Sequence, residues 1–103
     1  MRSTRLSSRY AKSLLNLSVE QNKLEDTLND MKYILDLCST NKDLVLMLKS
    51  PIIKTDKKIS ILSEVFSKNI SETTMAFINI ITNKKREAHL EAIANSFINL
   101  YKS

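Results

Sequence analysis

Apolar residues recur along this chain at helical spacing, and polar breaks divide them into six segments. The first runs from Ser3 or Thr4, either of which offers a capping hydroxyl, to Gln21-Asn22. On a helical wheel Leu6, Leu17, Tyr10, Leu14, Ala11, Leu15 and Val19 sweep an arc of about 220°. A surface helix facing one core needs a stripe of roughly 100°. Arg9, Lys12, Ser13, Asn16 and Glu20 fill the remaining wedge. Such a helix is either wholly central in a bundle, or packs its core with one flank and offers the other to a partner.

The second segment carries one narrow face of Leu24, Leu28, Met31, Leu35 and Cys38, with Glu25, Asp26, Asn29, Asp30 and Asp36 largely off it. Asn41 is an N-cap for a short third helix, Lys42 to Lys49, whose apolar run suits a plug at one end of the core. Ser50-Pro51 stops it, and Ile52-Ile53 run extended. Thr55 is expected to cap a fourth helix, Asp56 to Phe66, with Ile59, Leu62 and Phe66 as its stripe. Asn69 is expected to take the left-handed conformation that glycine normally fills. Ser71 caps a fifth helix, Glu72 to about Thr82. Its Met75, Ala76, Phe77, Ile78, Ile80 and Ile81 cover about 260°, a second surplus of apolar surface. After a break at Asn83-Lys84-Lys85, a sixth helix from Arg86 to Tyr101 presents Leu90, Ile93, Ala94, Phe97, Leu100 and Tyr101. The expectation is an all-α, six-helix antiparallel bundle forming a single domain over residues 1–103.

Composition sharpens this. With no glycine and one proline, a many-turned β fold is disfavoured, and phosphate loops that need glycine are excluded. The lone Cys38 has no disulfide partner and reads as a small buried hydrophobe. The longest apolar run, Leu44 to Leu48, is far short of the ~20 residues of a membrane span. The formal net charge is +5, spread along the chain with concentrations at Lys54-Lys57-Lys58 and Lys84-Lys85-Arg86. Three Tyr, three Phe and no Trp make no aromatic-laced basic track, so a solvated basic surface is expected. The competing class is a basic helical nucleic-acid-binding module, which predicts steeply salt-dependent binding. The acid-free first 19 residues superficially suit a transit peptide, but the amphipathic helix within them assigns them to the fold.

No enzyme is supported. His89 is the only histidine, which leaves no His pair for a metal and no Ser–His–Asp or Cys–His set. No cofactor motif is present. What remains is binding through apolar surface. A groove between the first and fifth helices would accept an amphipathic helix anchored at i, i+3, i+4 and i+7.

Four stretches in order then resemble a known family. Arg9-Tyr10-Ala11-Lys12-Ser13-Leu14-Leu15 resembles the R-Y-A-x-A-L/F signature near the start of the delta subunit of F-type ATP synthases. The family's mitochondrial relative is the oligomycin-sensitivity-conferring protein. Leu48-Lys49-Ser50-Pro51-Ile52-Ile53 with Lys57-Lys58 is similar to its L-x-S-P-x-I and downstream lysine. Phe77-Ile78-Asn79-Ile80-Ile81 with Lys85-Arg86-Glu87 is similar to its fifth helix and following break. Leu90, Ile93, Phe97, Leu100 and Tyr101 match its closing pattern. Ser13 replaces a usual alanine, and Lys84-Lys85 stand where many members have Asn-Gly.

The resemblance implies the family's N-terminal domain, a six-helix bundle, without the C-terminal region that engages the peripheral-stalk b subunit. It implies a non-catalytic stator component of proton-driven ATP synthesis, with no nucleic-acid partner and no insertion into the membrane. The implied partner is the N-terminal helix of an alpha subunit of the catalytic head. It would lie in a groove of the first and fifth helices, on Tyr10, Ala11 and Leu14 and on Phe77, Ile80, Ile81 and Lys84. Leu15, Leu17 and Val19 are open to either core or groove. With no cleavable leader read before the fold, the expected location is peripheral, on the cytoplasmic face of a bacterial inner membrane.

Overall fold

A computed structural model describes residues 4–102. Six α-helices follow one another: α1 Arg5–Glu20, α2 Leu24–Thr40, α3 Lys42–Lys49, α4 Thr55–Phe66, α5 Glu72–Asn83 and α6 Leu90–Lys102, with a single 3₁₀ turn at Glu87–His89. There is no strand among the described residues. Three expected caps are in place. Thr4 Oγ1 accepts from Ser7 N at 3.0 Å, Asn41 Oδ1 from Leu44 N at 3.1 Å, and Ser71 Oγ from Thr74 N at 3.3 Å. Ser3, the other candidate for the first cap, lies outside the described residues.

Other boundaries differ from expectation. Thr55 is the first residue of α4 rather than its cap. Lys58 N donates to Lys54 O at 2.9 Å, which makes Lys54 the cap residue, and no side chain caps this end. Asn69 is not left-handed. Asn69 N and Ile70 N both donate to Phe66 O, at 2.9 and 3.1 Å, in a continued right-handed turn. The left-handed residues are Asn22 (φ 55°) and Lys85 (φ 62°). Each closes its helix with the paired bonds of a Schellman motif: Lys23 N to Ser18 O with Asn22 N to Val19 O, and Arg86 N to Ile81 O with Lys85 N to Thr82 O. The backbone up to Arg86 is therefore committed to closing α5. This is why the last helix starts at Leu90, after the 3₁₀ turn, and not at Arg86.

A lysine at Lys85 carries a steric cost that glycine would not. Lys85→Gly is expected to stabilise the fold by about 0.5–1 kcal/mol, after the loss to unfolded-chain entropy. Thermal unfolding should show a midpoint raised by roughly 2–8 °C.

The core is one cluster in which Leu14, Met31, Ile34, Leu62, Phe66, Ile78, Ile81, Leu90, Ile93 and Phe97 are almost wholly enclosed. The central helix is α6, not α1 or α5: it packs on both α1 and α2, and seven of its residues are buried. Small side chains make the close approach possible, Ala92, Ala94 and Ser96 on α6 and Ser7, Ala11 and Ser18 on α1. Ser18 Oγ donates to Leu14 O at 2.8 Å and lies 2.9 Å from Thr27 Oγ1, so its burial leaves no polar atom unmet. Cys38 is a buried free thiol. Burial, with Glu91 nearby, pushes it up to about 11, so it stays protonated and unreactive at neutral pH.

Two charged residues expected at the surface are inside. Asp30 is buried on α2. Its Oδ2 accepts from Ser71 N (3.0 Å), Ser71 Oγ (2.8 Å) and Thr74 Oγ1 (2.6 Å), which ties α2 to the start of α5. Lys58 joins Leu62 and Phe66 in the buried line of α4, where Ile59 is only half-buried.

Candidate partner-binding groove

The surplus apolar arcs of α1 and α5 separate into two stripes each. On α1 the core stripe is Ser7, Ala11, Leu14 and Ser18, all buried. A second stripe, Leu6, Tyr10, Ser13 and Leu17, is turned about 90° away. On α5 the core stripe is Thr74, Phe77, Ile78, Ile81 and Thr82, and the second is Thr73, Ala76, Ile80 and Lys84, about 120° away. Neither helix is central; both are peripheral helices with one flank turned outward.

The two outward flanks face each other. Tyr10 and Phe77 meet edge to face, ring centroids 6.3 Å apart and planes at 74°. Thr73 Oγ1 donates to Gln21 Oε1 at 3.1 Å, joining the end of α1 to the start of α5. These two links, running in opposite order along the helices, make the pair antiparallel. Between them lies an open depression of about 320 Å³, lined by Leu17, Gln21, Glu72, Thr73, Ala76, Phe77 and Ile80. Leu17 is 38% exposed and Ile80 52% exposed. These flanks are not sealed against sibling helices.

The residues expected to form the groove are divided by the structure. Phe77 and Ile80 line it, Phe77 being largely buried, whereas Tyr10 is half-buried and touches Phe77 without lining the depression. Lys84 is exposed one turn beyond Ile80. Ala11, Leu14 and Ile81 are core residues lying beneath the flanks, out of reach of a partner in this conformation. Leu17, left open between core and groove, lines the depression, as do Ala76, Gln21 and Thr73, which sequence reasoning did not assign there. The phase of the two stripes on each wheel was the available signal.

No group of His, Cys, Asp or Glu side chains among the described residues is placed to hold a metal ion. His89 stands half-buried in the 3₁₀ turn. No helix among the described residues is long and apolar enough to cross a membrane.

Comparison with known sequences decides the family. The profile described as ATP synthase delta (OSCP) subunit matches residues 6–103. The chain belongs to the ATP synthase delta (OSCP) subunit family. It is 44% identical over 94 residues to the ATP synthase subunit delta of Chlorobium chlorochromatii, covering 91% of this chain and 52% of that protein. It is 42% identical over 97 residues to that of Chlorobaculum tepidum, covering 94% and 54%. The Cytophaga hutchinsonii subunit delta is 36% identical over 102 residues, covering 99% and 56%. The chain thus spans about half the length of these delta-family relatives.

Proposed function

We propose that this chain is a non-catalytic stator part of an F-type ATP synthase, and that its α1/α5 groove seats the amphipathic N-terminal helix of an alpha subunit. Seated there, the domain helps hold the catalytic head still while the rotor turns, and so supports proton-driven ATP synthesis. Its place is peripheral, at the cytoplasmic face of a bacterial inner membrane. Contact with the stalk b subunit belongs to the half of the relatives' length that this chain does not span.

The observation that carries this reading is the apolar depression between two antiparallel helices, with Leu17 and Ile80 both exposed. Ligand side chains at i, i+3 and i+7 would cover Leu17, Ala76 and Ile80, and each apolar anchor would contribute roughly 1.5–3 kcal/mol before ordering costs. Tyr10 and Phe77 supply a rigid aromatic edge. Lys84 stands where an ammonium can meet the ligand helix's C-terminal carbonyls. Ala11, Leu14 and Ile81 act from below, by fixing the helices that carry the groove.

Calorimetric titration with an alpha-subunit N-terminal peptide tests this. The 103-residue chain should bind it, and Ile80→Asp should weaken binding by about tenfold or more while leaving helix content and urea unfolding nearly unchanged. Tyr10→Ala should weaken it by a smaller factor. Unaltered binding by Ile80→Asp would show that the peptide sits elsewhere.

A further inference from the structure

The strongest surface outside the groove is the corner where the α3–α4 loop meets the turn after α5. A depression of about 520 Å³ there is lined by four lysines, Lys49, Lys54, Lys58 and Lys85, against one acid, Glu87. At its edge Ile52 is 86% exposed, the most exposed large hydrophobic residue described. It is held in that position rather than left to collapse. Ser50 Oγ accepts from Ile52 N at 3.2 Å and Ile53 N at 3.4 Å, and the side chain of Ile53 packs against the core. Behind the loop Lys58 Nζ donates to Leu48 O at 3.0 Å and to Glu87 Oε2 at 2.6 Å.

We infer that this corner docks an acidic polypeptide segment carrying an apolar side chain, which covers Ile52 while its carboxylates meet Lys49, Lys54 and Lys85. Charge complementarity fixes the sign of the partner. The start of α4 points the same way. Its first residue Thr55 lines the depression and no N-cap side chain is bonded there; Asp56 Oδ1 takes the Lys57 amide at 2.8 Å, which leaves other first-turn amides for an arriving carboxylate. The floor argues for a peptide over a phosphate-rich ligand. At it Glu87 is already neutralised by Lys58, which leaves Lys49, Lys54 and Lys85 as the exposed charges, too few and too widely interleaved with Ser50, Pro51 and Ile52 for a continuous phosphate track. An isoleucine beside lysines also needs an apolar counterpart, which a nucleic-acid backbone lacks. This surface shares no lining residue with the α1/α5 groove, so it stands or falls separately from the function proposed above.

The test is a two-dimensional NMR titration of the full 103-residue chain with a short synthetic peptide of glutamate and leucine. Parallel titrations use the lysine-for-glutamate peptide, a double-stranded DNA oligonucleotide and phosphatidylglycerol vesicles. Saturable shifts of the Lys49, Ile52, Lys54, Thr55 and Lys85 amides are expected with the acidic peptide alone. Lys49→Glu with Lys54→Glu should raise its Kd about tenfold or more, and added salt should weaken it. Ile52→Ser should raise the Kd several-fold at constant salt sensitivity, whereas Ile80→Asp should leave it unchanged. Every substituted side chain is exposed, so the variants should keep the wild-type unfolding curve. Any one of three results overturns the inference: no saturable shifts at this corner, unchanged affinity in the double lysine variant, or tighter binding of DNA or vesicles than of the peptide.

Discussion

Glu87→Ala is expected to remove about 3–5 kcal/mol of folding stability, although it deletes a side chain from a three-residue turn. The cause is the group left behind. The Lys58 side chain is 4% exposed and its ammonium sits 2.6 Å from the Glu87 carboxylate, itself 12% exposed. Without that partner the ammonium keeps only the Leu48 carbonyl, 3.0 Å away, as a recorded hydrogen-bond acceptor, and water does not reach it freely. An uncompensated buried charge costs far more than a surface pair contributes. The loss would be a large fraction of the ~5–15 kcal/mol that holds a domain together. Urea unfolding followed by circular dichroism should show the midpoint fall with the slope unchanged. Lys58→Met combined with Glu87→Leu should recover most of the loss, because packed apolar side chains of similar volume replace a buried pair at little net cost. If Glu87→Ala alone costs less than about 1 kcal/mol, the pair is behaving as a solvated one.

That pair marks where sequence reasoning stopped. Helix number, order and class followed from apolar periodicity, because Leu28, Met31 and Cys38 on α2 and Leu90, Ile93 and Phe97 on α6 sit on single narrow faces that do become core. Thr4, Asn41 and Ser71 were legible as caps because a short side-chain oxygen before an amphipathic run has few other uses. Lys58, Asp30, Ser7, Ser18, Thr74 and Thr82 were not legible as interior residues. Each looks polar on a wheel, and what permits its burial is a partner on another turn or another helix, as with Thr82 Oγ1 on Ile78 O at 2.7 Å. The same blindness displaced the groove. Counting apolar residues located the two helices with outward flanks. It could not tell the core side of each arc from the outward side, so Ala11, Leu14 and Ile81, taken as groove residues from the family resemblance, were not recognised as core; Ser7, Ser18, Thr74 and Thr82, which share their stripes, look polar. Once those four are placed inside, the core stripe rotates and Leu17, Ala76 and Ile80 are left lining the depression, while Val19 is exposed off it.

Asp30→Ala should destabilise the domain by about 2–4 kcal/mol, and its consequences should reach the groove. Three donors converge on one oxygen of Asp30: the Ser71 amide, the Ser71 hydroxyl and the Thr74 hydroxyl. Ser71 is also the N-cap of α5, so the α2 carboxylate orients the very side chain that caps this helix. A negative group beside a helix N-terminus is favourable in its own right. Alanine would leave the Ser71 amide and the Thr74 hydroxyl short of an acceptor in a part-buried site, the Ser71 hydroxyl keeping only Thr74 Oγ1 at 3.2 Å, and the first turn of α5 would loosen. Thr73, whose hydroxyl reaches Gln21 of α1, lies in that turn, and Ala76 and Phe77 of the groove lie one turn further on. Amide exchange should therefore quicken for Thr73 to Phe77 more than for α2 itself. Asp30→Asn should fall between wild type and alanine, since its carbonyl oxygen can still accept while its amide nitrogen faces donors. If Asp30→Ala leaves the urea midpoint unchanged, solvent is satisfying the three donors. If it lowers the midpoint without quickening exchange around Thr73, α5 is positioned by its apolar contacts alone, and the carboxylate contributes stability without shaping the groove.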